Sequence, residues 1–286
     1  MRLALLIIAL CTVAAPRAEA FGRDGHRIVC DIAYDHLNET ARADVDLLIA
    51  SDAEFAHFRD VCSWADRVRN TTHTETAPYH YVGLSRDDPI VNYEDCPDQG
   101  CVLTAILADG ARYRDRRNSV AERLEALKFL AHWIGDVHQP LHVSIDGDRG
   151  GNDIKSLWRG ERMSNFHRMW DSEIILDYMA ARWAYLPEKE RWRQFSAELK
   201  SELAVSGVHV SAPLEPLPWA QESHDLARSR DVAYQYADAD VRFAPGEHYY
   251  QRHLTPIKKR LKEAGIRLAA VLNHMATVSG PSPARA

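Results

Sequence analysis

The stretch SVAERLEALKFLAHWIGDVH, residues 119–138, sets the tightest limit on the fold. Ser119 suits a helix N-cap, and Leu124, Leu127, Ala131 and Ile134 recur at helical spacing, so the segment reads as one long helix with an apolar side to bury. Pro140 ends it, because proline lacks the backbone donor and clashes with the preceding turn. Yet this helix and the turn after it carry His132, Asp136, His138 and His142. Apolar residues that need burial and polar groups that need partners then share one segment, which calls for a polar centre inside the core.

Other segments with helical periodicity are residues 24–37, 39–50, 100–115, 170–184, 187–204, 219–236 and 252–275. The proline-rich stretch 213–218 and the Gly-, Asp- and Arg-rich region 143–165 read as loops. The expectation is a single all-α domain over residues 21–286, with a disordered tail after about residue 276.

Residues 1–20 have the layout of a cleaved secretory signal peptide: Arg2, an apolar run from Leu3 to Ala15, and small residues at Ala18 and Ala20 before Phe21. No later segment is uniformly apolar for about 18 residues, so an exported protein without stable membrane association is expected, secreted or periplasmic. Cleavage removes Arg2, Arg17 and Glu19, one net positive charge, from a chain whose formal charge is -6. That acidity argues against charge-driven nucleic-acid binding unless bound cations offset it locally. Cys11 leaves with the leader, and Cys30, Cys62, Cys96 and Cys101 remain, an even number suited to an oxidising compartment. Cys96 and Cys101 flank a short loop, which leaves Cys30 with Cys62.

His132 and Asp136 are four apart, on one face of a helix, where both can bind one ion. A single histidine on an apolar helix is more often a hydrogen-bonded core residue, but the pairing recurs in His167 and Asp171. Asp66, His80, His142 and His26 are further candidates, His26 five residues from the expected new N-terminus. Histidine and carboxylate ligands without cysteine suit zinc in a hydrolytic site, where ions polarise a phosphate and activate water. His138 reads as a packing residue, and His36, His57, His73, His209, His248, His253 and His274 as surface or capping residues. Trp64, Trp133, Trp170 and Trp219 read as core packing around the centre.

The ordered series FGRDGH, CSWADRVR, YHYV, HWIGDVHQPLH, GGND, NFHRMWD and WAQES resembles the zinc-dependent S1/P1 nucleases, over nearly the whole chain after residue 20. The resemblance implies a helical fold holding three zinc ions. One takes Asp66, His80, His132 and Asp136; a second takes the main-chain amine and carbonyl of Phe21, His26 and the shared Asp136; the third takes His142, His167 and Asp171. It implies in-line hydrolysis of single-stranded DNA and RNA, with Asp66, Asp136 and Arg69 in the catalytic machinery and 5′-phosphate products. It also implies activity on 3′-nucleotides, by a monomer with no obligate protein partner. Arg69 falls where the family places a phosphate-contacting arginine, Asn152 where it places a base-binding amide, and Tyr81 where it places a stacking aromatic. Stacking tolerates every base, so weak base selectivity follows.

Two positions depart from the family pattern. Phe21 stands in place of tryptophan, which leaves main-chain ligation intact, and Gly83 stands in place of an aspartate that holds the base, which puts base preference in question. A zinc phospholipase C is the nearest alternative, but that group carries glutamate at the position of Asp171 and a longer gap before its first histidine. A zinc-binding protein without turnover is the alternative from another class. The pair His224-Asp225 lacks the ordered partners of an HD-type phosphohydrolase.

Overall fold

The computed structural model describes residues 21–160, 162–206, 215–232, 234 and 244–278. Residues 1–20, read above as a signal peptide, His209 and the residues after 278 therefore lie outside the described residues, as do parts of the stretches 213–218 and 219–236.

Helix α6 (Val120–Val137) runs through the middle and is buried from Arg123 to Val137 with the single exception of the half-buried Glu125. Its start is a capping box: Ser119 Oγ accepts from Glu122 N, and Glu122 Oε2 accepts from Ser119 N at 2.8 Å. Leu127, Leu130, Trp133 and Ile134 are fully buried on it, each worth roughly 1.5–3 kcal/mol of apolar transfer. Helix α5 (Val102–Arg114) packs along α6, and α1 (Gly22–Asp35) packs on the long α11 (Glu247–Val278). Around these lie α2 (Glu39–Ala50), the short α3 (Phe58–Val61) and α4 (Trp64–Val68), α9 (Glu188–Ser206) and α10 (Pro216–Ala227). The architecture is all-α in one domain, as expected.

A buried ion cluster ties three of these helices together. Asp44 of α2 accepts from Tyr113 Oη of α5 at 2.7 Å and from Arg123 of α6 at 2.7 and 3.0 Å, and also pairs with Arg116. Arg260 of α11 does the same at the far end of α6: it donates to the carbonyls of His138 and Trp219, both at 3.0 Å, and pairs with Glu222.

Four expectations about secondary structure need correction. Region 143–165 is not all loop: Val143–Ile145 is a strand (β2) paired in parallel with β1 (Val82–Leu84), and β3 (Lys155–Trp158) pairs antiparallel with β4 (Arg162–Asn165). Strands of three or four residues are too short to show alternation, and the β1–β2 pairing joins segments about sixty residues apart. The helix expected at 170–184 begins earlier: α7 (Phe166–Arg168) continues through a π-helical turn over Met169–Glu173 into α8 (Ile174–Arg182). Helix α10 starts at Pro216, inside the stretch read as loop, because proline is well suited to the first turn, where its missing N–H has no helical partner. Helix α11 begins at Glu247 rather than residue 252 and runs through Pro256, held by burial of Tyr250, Ile257 and Leu261 on either side of that proline.

Candidate metal centre

Strand pairing brings the ligand-bearing segments together. The register Val82 with Val143 and Leu84 with Ile145 aligns the residues just ahead of each strand, so His80 and His142 become neighbours. Nδ1 of His142 lies 2.6 Å from the His80 carbonyl. Helix α6 brings His132 and Asp136 alongside, α4 brings Asp66, α1 brings His26, and the helical run from Phe166 brings His167 and Asp171. Asp171 sits on the π-helical turn, where the extra residue per turn re-aims side chains.

All eight predicted side-chain ligands converge, and they fall into three groups: His26, His132 and Asp136; Asp66, His80 and His132; and His142, His167 and Asp171. Within them, His26 Nε2 is 3.2 Å from Asp136 Oδ1, and His80 Nδ1 is 2.9 Å from Asp136 Oδ2. His132 Nε2 is 3.3 Å from Asp136 Oδ2 and 3.7 Å from Asp66 Oδ1, and His167 Nε2 is 3.1 Å from Asp171 Oδ2. Donors held about 2.0–2.2 Å from one tetrahedral ion stand about 3.3–3.5 Å apart, so these spacings fit shared ligation. Asp136 faces His26 with one oxygen and His80 and His132 with the other, the posture of a bridging carboxylate.

The tautomers support the same reading. Nδ1 of His132 faces the Cys62 carbonyl at 2.7 Å, and Nδ1 of His167 faces the Gly150 carbonyl at 2.8 Å. A carbonyl only accepts, so in these rings and in His142 the proton belongs on Nδ1 and the lone pair on Nε2. Nε2 of His142 and Nε2 of His167 then face each other 3.1 Å apart. Two lone pairs at that separation repel, and a cation between them turns the repulsion into ligation.

Electrostatics favours positive charge in the same place. Burial holds His26 down at about 4, helped by its neighbour His132, and burial likewise holds His80, His132 and His142 below their ordinary value. These rings are neutral at pH 7, the form that ligates. Burial also opposes charge on His167, yet the Asp171 carboxylate outweighs it and raises the ring. Asp136 is pushed up to about 6 by desolvation, the cost of a buried carboxylate in the absence of a cation. Among the buried side chains, neither ring nitrogen of His26 has a hydrogen-bond partner, nor has Asp136 Oδ1 or Asp171 Oδ2. Buried polar atoms without partners are rare, and shared cations would satisfy His26 Nε2, Asp136 Oδ1 and Asp171 Oδ2.

Phe21 heads α1, buried, with φ of 46°. Its neighbour Gly22 packs against the third group: a Cβ there would lie 2.7 Å from Ser172 Oγ and 3.6 Å from the Asp171 carbonyl. Gly135 makes room for His26, since a Cβ on it would stand 2.7 Å from His26 Nδ1. The disulfide Cys30–Cys62 joins α1 to the turn whose carbonyl orients His132. Cys96–Cys101 closes the loop before α5, where Val102 N donates to the Tyr81 carbonyl.

Arg69, Tyr81, Asn152, His80, His142 and His167 all line one cavity of about 1020 Å³. Arg69 lies 3.4 Å from Asp66, and Tyr81 is exposed. Asn152 is presented by a turn in which Arg149, Gly150 and Gly151 all have positive φ, which explains the paired glycines of GGND. Gln139, not singled out from sequence, donates to Asp171 and accepts from Leu141 N, so it orients the Asp171 carboxylate; a polar residue fixed between a buried helix end and Pro140 was its only sequence signal. His138 packs as expected, bonded to the Ile134 carbonyl and Arg267. Trp133, Trp170 and Trp219 are buried and Trp64 partly so. His224 is spent on the carbonyls of Val143 and Asp88, apart from the three groups. His253 is a correction: it is buried against Trp170 and bonded to the carbonyls of Tyr249 and Asp231, not at the surface.

A family model described as S1/P1 Nuclease matches residues 21–277. Endonuclease 3 of Arabidopsis thaliana is 32% identical over 294 residues, covering 96% of this chain and 95% of that protein. Endonuclease 4 of the same plant is 33% identical, with 90% of each chain covered. Nuclease S1 of Aspergillus oryzae is 28% identical, covering 96% of this chain and 98% of its own length.

Proposed function

The chain belongs to the S1/P1 nuclease family, and on that premise we propose that it is a zinc-dependent endonuclease of single-stranded DNA and RNA. Cleavage leaves 5′-phosphates, and 3′-nucleotides are further substrates. The observation that carries this reading is the convergence of eight buried histidine and aspartate side chains from distant segments into three ligand groups beside one cavity.

In this reading Asp66, His80, His132 and Asp136 would hold one ion, and His26, Asp136 and the main chain of Phe21 would hold a second. His142, His167 and Asp171 would hold a third. Bound zinc supplies Lewis acidity toward phosphate and lowers the pKa of a ligated water to about neutrality. The protein supplies the rest. Asp136 presents one oxygen to His26 and the other to His80 and His132, while the carbonyls of Cys62, His80 and Gly150 hold three imidazoles with the proton on Nδ1. Arg69 at the cavity wall offers a planar fork to a phosphate that would otherwise meet a ring of carboxylates. Tyr81 offers a stacking face, and Asn152 an amide for the base edge.

Single-strand selectivity follows from the cavity, because a base has to leave its stack to lie on Tyr81 while its phosphate reaches the histidines. A free α-amine exists at Phe21 only after residues 1–20 are removed, so export and metal loading are coupled, and the active form is secreted or periplasmic.

The test is cleavage of circular single-stranded DNA by protein beginning at Phe21, with zinc or after chelation, beside phosphatidylcholine vesicles. Zinc-dependent nicking with 5′-phosphate ends is expected. Lipid turnover without nicking would move the protein to the phospholipase side, and bound zinc with neither activity would make it a binder.

A further inference from the structure

The carboxylate of Asp146 lies where a side chain on Gly83 would project. Gly83 on β1 pairs with Ser144 on β2, and β2 runs directly into the 3₁₀ turn that begins at Asp146. A Cβ built on Gly83 would stand 2.7 Å from both Cβ and Oδ1 of Asp146, so this aspartate lies flat over the glycine. Both residues line the cavity that holds Tyr81, Asn152, His142 and His167.

The loop does not need Asp146 for its own structure. Asp148, two residues on, anchors it by accepting from Gly151 N at 2.7 Å and Tyr234 Oη at 2.5 Å and pairing with Arg86. Asp146 is exposed, and among the described residues its carboxylate makes no hydrogen bond. We propose that Asp146 is a specificity-determining residue that reads the base upstream of the scissile phosphate and favours guanine. The inference rests on the nuclease reading above, and it replaces the flat base selectivity expected from stacking alone.

The chemistry is that of a pure acceptor. A carboxylate offers two oxygens and no donor, so it needs two adjacent N–H groups to be satisfied in a bidentate pair. Guanine presents N1–H and the N2 amino group side by side. Adenine and cytosine present one amino group next to a bare ring nitrogen, and uracil presents one N–H between two carbonyls that repel the carboxylate. The upstream base is the one read on a further premise of the proposal: cleavage to 5′-phosphates releases the upstream nucleoside at its 3′ oxygen, and we place that oxygen beside His142 and His167, which line the same cavity as Asp146.

The experiment measures kcat/KM for the zinc-loaded chain from Phe21 on the dinucleotides GpU, inosine-pU, ApU, CpU and UpU, with Asp146→Asn and the double variant Gly83→Asp/Asp146→Gly alongside. Wild type is expected to favour GpU, with inosine, which lacks the N2 amino group, falling between guanine and uracil. Asp146→Asn is expected to lower the GpU to UpU ratio roughly tenfold, within the range of one bidentate base contact. The double variant, which moves the carboxylate to the neighbouring strand, is expected to keep the preference. Wild-type turnover with no guanine preference, or an equal loss on all five substrates in Asp146→Asn, would overturn the proposal and leave the nuclease reading standing. A wild type that nicks circular single-stranded DNA yet is inert on all five would overturn this inference alone, and one inactive on both would overturn the nuclease reading with it.

Discussion

At the residue scale, the account depends on a few side chains placed with little tolerance. Asp136 faces three histidines with its two oxygens. Asp136→Ala is therefore expected to lose at least one zinc per chain and to reduce nicking to the level of the chelated protein; full activity in this variant would place the chemistry elsewhere. Gly135 gives a subtler test, because its missing side chain admits His26. Gly135→Ala should keep the fold but weaken zinc binding roughly 10–100-fold, the cost usual for disturbing a ligand's support, as read by competition with a chromophoric chelator. An unchanged affinity would separate His26 from the metal. The convergence of His132 with Asp136 and of His167 with Asp171 was legible in sequence, because i and i+4 spacing on a helix has one geometric meaning. Asp146 was not, since a lone aspartate in a Gly- and Asp-rich loop carries no pattern, and only the strand register shows what it faces.

At the element scale, helices with a long apolar stripe could be read directly, and α6 is the clearest case, cap included. The strands could not: β1 and β2 are paired across about sixty residues, and β3 and β4 are too short to show alternation. Nor could the π-helical turn that carries Asp171. The Asp44 cluster, which binds α2 to α5 and α6, was equally invisible. Burial alone would raise the Asp44 carboxyl, but hydrogen bonds from Arg116, Tyr113 and Arg123 win and hold it below its ordinary value. A carboxylate depressed in the folded state adds stability above its unfolded pKa, and that stability is lost as pH falls through the folded value. Asp44→Asn should thus cost roughly 3–5 kcal/mol at pH 7, as for one partner removed from a buried pair. The deficit should shrink below about pH 4, near the unfolded carboxylate pKa, in urea melts at the two pH values. A deficit independent of pH would mean that packing, not charge, is what Asp44 provides.

At the scale of the whole molecule, the proposed ions act as staples between segments far apart in sequence, from Phe21 to Asp171. Zinc that binds only the folded state stabilises it by mass action, so chelation should lower the melting temperature, and readdition of zinc should restore it in a concentration-dependent way. The N-terminus makes that staple conditional. One extra residue before Phe21 would replace the α-amine with an amide and push chain into a buried site, so such a protein should bind fewer ions and melt near the chelated form. The fold class was legible at this scale, because helical stripes run along most of the chain. The way its segments meet was not.

The most direct measurement is zinc content followed together with nicking of circular single-stranded DNA while the chelated chain, beginning at Phe21, is titrated with zinc. The account predicts saturation at three ions per chain, with nicking that depends on the added zinc and reaches its full rate only when all three places are filled. Full nicking in the chelated protein, or saturation at a single ion with full activity, would contradict it.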